Sequence, residues 1–156
     1  MDTTFFMKKA IQLATEHMKA GDGGPFGAVI VRDGKIIAEG WNSVTSTNDP
    51  TAHAEIVCIR KACAELMTFD LSGCELVVNC EPCPMCLSAA YWAKIERITY
   101  AADRNDAAAA GFNDAFVYEE LLKAVHDRTI AMQQLMRDEA LQTFELWTTL
   151  EEKTRY

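Results

Sequence analysis

His53-Ala54-Glu55 and, 26 residues further on (positions 56–81 lie between), Pro82-Cys83-Pro84-Met85-Cys86 bound the stretch that decides this fold. Together they offer one imidazole, two thiols and a carboxylate. A borderline cation such as zinc takes nitrogen and sulfur ligands in a tetrahedron, and a catalytic site supplies three of them and leaves one place open. His53, Cys83 and Cys86 are expected to be those three. Glu55, two residues past the histidine, is near enough to handle protons without binding the metal. Either half alone is a weak signal; the two in this order, with Pro82 directly before Cys83, are specific. Two other readings use the same residues. A closed zinc site that only holds the fold needs a fourth ligand, for which Cys80 is the candidate. Cys80, Cys83 and Cys86 also spell C-x2-C-x2-C, the start of an iron–sulfur run. That run continues with a cysteine four residues after its third, where this chain has Ala90.

Working outward, residues 51–66 read as a helix with His53 and Glu55 in its first turn, where the macrodipole favours negative charge. Residues 83–93 read as a second helix that starts at the cysteines, where free N–H groups and the positive dipole end stabilise thiolate over thiol. Between them, residues 75–79 form a short buried strand, and 97–102 form the next. Upstream, Phe6, Ala10, Leu13, Ala14 and Met18 give a helical period over 3–20, capped by Thr3 or Thr4. Gly21 to Pro25 is a loop. Residues 26–31 and 35–39 are strands joined by Asp33-Gly34, a hairpin turn signal. Residues 41–50 are polar and irregular. Downstream, 103–111 starts helical, 115–125 is a helix, 129–135 a strand and 138–150 a final helix. Helix, hairpin, helix, strand, helix, strand argues for a layered α/β fold with a mixed sheet.

At 156 residues the chain fits one domain, and with 49% hydrophobic and 24% charged residues it has the composition of a soluble globular protein. No apolar run approaches the roughly 20 residues that span a membrane. Residues 1–10 carry Asp2 and two lysines but no signal-peptide apolar block. Of the six cysteines, Cys58, Cys63 and Cys74 lie in apolar surroundings and are expected as buried thiols, which places the chain in a reducing compartment, the cytoplasm. The net charge is −8. From Asp103 onward there are 11 acidic and 6 basic residues. Lys8-Lys9 and Arg60-Lys61 read as solvated helix faces. This charge balance argues against a nucleic-acid partner, which calls for a basic patch.

H-x-E followed by P-C-x-x-C is the signature of zinc-dependent base deaminases, and with Gly24-Pro25-Phe26-Gly27-Ala28 and the Asn42 loop the chain resembles the cytidine-deaminase-like superfamily over residues 5–102. Pro82-Cys83-Pro84-Met85-Cys86 is similar to its purine-type branch; nucleoside cytidine deaminases carry P-C-G-x-C-R-Q there. The segment from Asp106 to Asp114, then Phe116-Val117-Tyr118 and a tail ending in Tyr156, resembles small bacterial guanine deaminases, which extends the likeness to nearly the whole chain. The resemblance implies a three-layer α/β/α fold around a central mixed sheet. It implies a single deaminase domain over 1–156, in which 103–156 is a lid and dimerisation segment exchanged between the subunits of a homodimer. It implies a Zn2+ cofactor and hydrolysis of free guanine, a small purine base, to xanthine and ammonia.

The resemblance also implies roles for single residues. Glu55 carries the proton from water to a ring nitrogen. Asp114 contacts the N–H edge of guanine or assists a second proton transfer; the plainer reading is a helix N-cap before Ala115. Phe26 stacks on the purine, against the alternative of a core phenylalanine at a strand start. Asn42 bonds the ring edge, against a loop-capping asparagine. Ala54 offers its backbone N–H, and Tyr156 reaches the site if the tail folds over it. Trp92 reads as core, and His17 and His126 as bystanders. The competing functions are a tRNA adenosine deaminase, a deaminase of another small amino-heterocycle such as cytosine, and a non-catalytic zinc-stabilised binding module.

Overall fold

The structure is a computed structural model that describes residues 2–156. Helix α1 spans Thr3–Ala20, and its cap is Asp2, one residue before the expected threonines: the Asp2 carboxylate accepts from the Thr4 N–H at 3.3 Å. Strands β1 (Gly27–Arg32) and β2 (Lys35–Trp41) form the expected hairpin. Asp33 and Gly34 both take positive φ, 51° and 70°, the primed turn that matches strand twist. β2 runs on to Trp41, and the loop after it contains a one-turn helix, α2 (Val44–Thr47), that the polar sequence does not announce.

Helix α3 (Ala54–Leu66) starts three residues later than expected, because residues 49–52 form turns in which Asp49 accepts the Thr51 N–H at 2.8 Å. Strand β3 (Cys74–Cys80), helix α4 (Pro84–Trp92) and strand β4 (Arg97–Ala102) complete one sheet in the order β2-β1-β3-β4. The first two pairings are antiparallel and β3–β4 is parallel, so the sheet is mixed.

Alternation along the strands separates two cores. Val29, Val31 and Val77 pack with Phe6 and Leu13 of α1. Ala28, Ile30, Leu76 and Val78 pack with Ala54, Cys58 and Ala62 of α3 on the other face. The layers are therefore helix, sheet, helix. Two glycines set how closely they meet. A Cβ at Gly27 would stand 2.3 Å from Ala10 O and 2.6 Å from Ala14 N; one at Gly40 would stand 2.4 Å from Ala54 O and 2.8 Å from Cys58 N.

Past β4 come α5 (Arg104–Ala109), α6 (Ala115–Leu122), a 3-10 turn (Val125–Asp127) and α7 (Arg137–Thr149). The chain divides into two compact units, one running to Ala115 and the other Phe116–Tyr156. No strand forms over 129–135: the Thr129 N–H donates to the Glu120 carboxylate at 2.7 Å instead of to a neighbouring strand. All six cysteines are free; Cys58 and Cys74 are buried, but Cys63 is only half-buried. Trp92 is exposed, not core. Lys9 pairs with Glu39, Arg60 with Asp49, and Lys61 lies over the Trp41 ring, so the short basic clusters are bound into the surface of the fold.

Candidate active site

Two helix starts meet at the metal-ligand set. His53 caps α3 with extended backbone (φ −66°, ψ 154°), and Cys83 caps α4 in the same conformation (φ −66°, ψ 168°). Pro84 at the first helical position fixes φ where the helix needs no N–H donor. One turn on, Cys86 brings its sulfur back to the same point. His53 Nδ1 stands 3.6 Å from Cys83 Sγ and 3.5 Å from Cys86 Sγ, and the three donor atoms lie within 4.8 Å of one another. Cys80 does not join them: its Sγ faces Asp103 O at 3.7 Å, and burial pushes its thiol up to about 11.

The sulfurs share charge unequally. The hydrogen bond with Cys86 holds the Cys83 thiol down to about 4, with the His53 imidazole and the Cys86 N–H adding to it. The Cys86 thiol is pushed far up by that same bond and by burial. Contact with the Cys83 sulfur raises His53 in turn. An imidazole and two sulfurs pinned on two helix starts are a donor set for zinc. Among the described residues this group offers three protein ligands, the number that leaves a coordination place for water or substrate.

Beside it lies a cavity of about 340 Å³ lined by Phe26, Asn42, His53, Glu55, Cys83 and Asp114 together with Glu81, Arg104 and Phe112, among others. Glu55 is 5% exposed, and burial pushes its carboxyl up to about 7, helped by the Cys83 sulfur and opposed by its own helix-start N–H. A carboxyl near neutrality gives and takes protons with equal ease. Asn42 is buried, and its side-chain oxygen accepts from Gly24 N at 3.1 Å and Val44 N at 3.2 Å. That leaves the amide nitrogen, a donor, as the group it can offer to the cavity. Phe26 and Phe112 meet edge to face, with ring centroids 4.9 Å apart. Asp114 Oδ1 is buried with no hydrogen-bond partner, and burial and the Cys83 sulfur raise its carboxyl.

The fold thus brings His53, Glu55, Cys83, Cys86, Phe26, Asn42 and Asp114 together. Ala54, fully buried, follows His53 as the first residue of α3. Asn113 Oδ1 accepts from Ala115 N at 3.1 Å, just before α6. Tyr156 belongs to the second unit, where it shares a cleft with Trp147, Thr148, Lys153 and Arg155. His17 pairs with Asp22 at 2.6 Å and stacks on Trp41, and His126 stands exposed 3.5 Å from Asp127. Sequence reasoning misses Glu81, Arg104 and Phe112. Glu81 is visible as the neighbour of Pro82, but nothing in the sequence couples it to Arg104.

Comparison with known proteins matches this arrangement. Residues 1–102 match the family described as the cytidine and deoxycytidylate deaminase zinc-binding region. The chain is 52% identical over 156 residues to guanine deaminase from Bacillus subtilis, covering all of both proteins. It superposes on the crystal structure of that enzyme with a TM-score of 0.97, covering 100% of this chain and 99% of that one. A tRNA-specific adenosine deaminase from Aquifex aeolicus is 43% identical over 102 residues, 65% of this chain and 67% of that protein. A guanine deaminase structure from Nitrosomonas europaea gives 37% identity and a TM-score of 0.67 over 70% of this chain and 63% of that one. The zinc-type donor set on two helix starts, the buried glutamate beside it and these likenesses together establish that the chain belongs to the cytidine and deoxycytidylate deaminase family of zinc enzymes.

Proposed function

We propose that this chain is a guanine deaminase, hydrolysing the free base to xanthine and ammonia. The observation that carries this reading is the end-to-end likeness to an enzyme of that activity, which includes the 104–114 wall of the cavity; the similarity to the tRNA-specific enzyme covers only 102 residues. The buried, partnerless Asp114 Oδ1 supports it, because guanine presents N–H donors along the edge where adenine presents a bare ring nitrogen.

His53, Cys83 and Cys86 would hold the zinc, which, bound there, would lower the pKa of a water to about 7 and make a nucleophile available at neutral pH. Glu55 takes the proton from that water and gives it to a ring nitrogen, which its near-neutral carboxyl does at little cost. Asp114 bonds the N–H edge and assists protonation of the departing amine. Phe26 packs on the ring face. Asn42 donates to a ring acceptor, and the Ala54 N–H at the start of α3 adds a second donor. The test is ammonia release from a panel of free bases, nucleosides and tRNA. Guanine is the expected substrate. Turnover that required intact tRNA and fell steeply with salt would favour the adenosine reading instead.

The chain acts as a homodimer in this reading, with 103–156 as the exchanged lid and Tyr156 closing the partner's site. Large apolar side chains left uncovered support this: Tyr91 and Trp92 on α4 are 77% and 70% exposed, and Leu122, Ile130 and Leu135 in the second unit are 89%, 78% and 76% exposed. Six free thiols fit a cytoplasmic protein.

A further inference from the structure

The cavity wall holds one ion pair that the reaction above does not use. β3 and β4 run parallel with Cys80 beside Ala102, and the Glu81 N–H adds a last rung by donating to Ala102 O at 2.8 Å. Beyond that rung the two chains part. One turns through Pro82 to Cys83 and α4. The other turns at Asp103 into α5 and reaches Phe112 and Asp114. Glu81 and Arg104 face each other at the fork. Glu81 Oε1 accepts from Arg104 Nη2 at 2.5 Å and Nε at 3.2 Å; Oε2 accepts from Nε at 3.2 Å and from the Arg104 backbone N–H at 3.0 Å. The carboxylate therefore grips the main chain of α5 as well as the guanidinium. The Glu81 side chain is only 18% exposed, so water competes weakly for it. Arg104 is the one guanidinium or ammonium group among the described residues lining the cavity, against the carboxyls of Glu55, Glu81 and Asp114. At six residues α5 is too short to hold its place by helix formation alone. Gly111 follows at φ 92° with nothing packed where its side chain would be.

We infer that Glu81 and Arg104 are positioning residues for Asp114: their pairing ties the segment that carries Asp114 to the backbone that carries Cys83, and so fixes the Asp114 carboxylate relative to the metal donors. This rests on the role given to Asp114 above. A planar fork on a carboxylate sets angle as well as distance, which a lysine ammonium does not.

The experiment measures guanine turnover and zinc content for Arg104→Gln, Arg104→Lys and Glu81→Gln, each alone and combined with Asp114→Asn. Alone, Arg104→Gln and Glu81→Gln are expected to lower kcat about 10–100-fold, the usual effect of losing an outer partner at a metal site, with zinc content unchanged. Arg104→Lys recovers only part of that loss. Combined with Asp114→Asn, the same changes cost less than about threefold, because the group they position is already gone. An equal loss in both backgrounds overturns the inference, as does native turnover in Arg104→Gln and Glu81→Gln, or a loss of zinc. Should Arg104→Gln not fold, Glu81→Gln carries the comparison, since its amide oxygen still accepts from the Arg104 N–H. Full turnover in Asp114→Asn would remove the role of Asp114 and this inference with it. Equal losses beside a crippled Asp114→Asn would sink the inference alone.

Discussion

Replacing Glu55 with glutamine should make the metal-free protein more stable and the enzyme nearly inactive. Burial raises the Glu55 carboxyl from 4.5 to about 7. Below its unfolded value the group is protonated in both states and costs nothing. Between the two values the unfolded chain ionises and the folded chain does not, so stability falls as pH rises. Above the folded value the loss is complete. A shift of about 2.5 units at 1.36 kcal/mol each is about 3 kcal/mol. A glutamine side chain has no charge to desolvate, so Glu55→Gln should recover this near pH 8 and nothing near pH 4. For a chain of this size that is a rise in Tm of roughly 6–12 °C. The assay is thermal unfolding of chelator-treated protein across that pH range, beside steady-state turnover of the zinc-loaded enzyme. Turnover should drop at least ~10³-fold, since proton transfer goes with the carboxylate. A Tm difference independent of pH, or a glutamine variant less stable near pH 8, would refute the argument that burial governs this carboxyl.

Four other outcomes follow from the structure. Cys83→Ala removes the thiolate of the donor set and should abolish zinc retention after dialysis, read by metal analysis. Asn42→Ala takes a buried acceptor from the Gly24 and Val44 N–H groups as well as a donor from the cavity, so kcat/KM for guanine should fall by about 10–100-fold, corresponding to roughly 1–3 kcal/mol. Gly40→Ala would press a methyl group to 2.4 Å from Ala54 O; it should destabilise by about 1–3 kcal/mol or more in a denaturant titration and weaken zinc binding, because the displaced turn carries His53. Light scattering should report a dimer, and a monomer of 17.4 kDa would remove the exchanged lid.

The metal centre is legible in the sequence because its chemistry is local. His53 and Glu55 lie two residues apart and Cys83 and Cys86 three, so helix geometry alone brings each half together. The paired cores are legible from the alternation of Val29 and Val31 against Ala28 and Ile30. What the sequence hides depends on contacts between distant segments. Glu81 is a metal-loop neighbour and Arg104 a helix start; only the parallel pairing of Cys80 with Ala102 makes them partners. The start of α3 differs from its expected place because Asp49 captures the Thr51 N–H, and over 129–135, where a strand is expected, the Thr129 N–H goes to the Glu120 carboxylate and no strand forms. Asp114 reads from the sequence as either a site residue or a cap, and only the folded chain puts its carboxyl in the wall of the cavity.

The cavity is assembled from two consecutive stretches of chain. The zinc-type donor set, Glu55, Phe26 and Asn42 all precede residue 103, and the wall from Arg104 to Asp114 comes after it. The end of β4 separates the two, so a single crossover there would exchange one wall of the cavity while leaving the donor set and the buried glutamate in place.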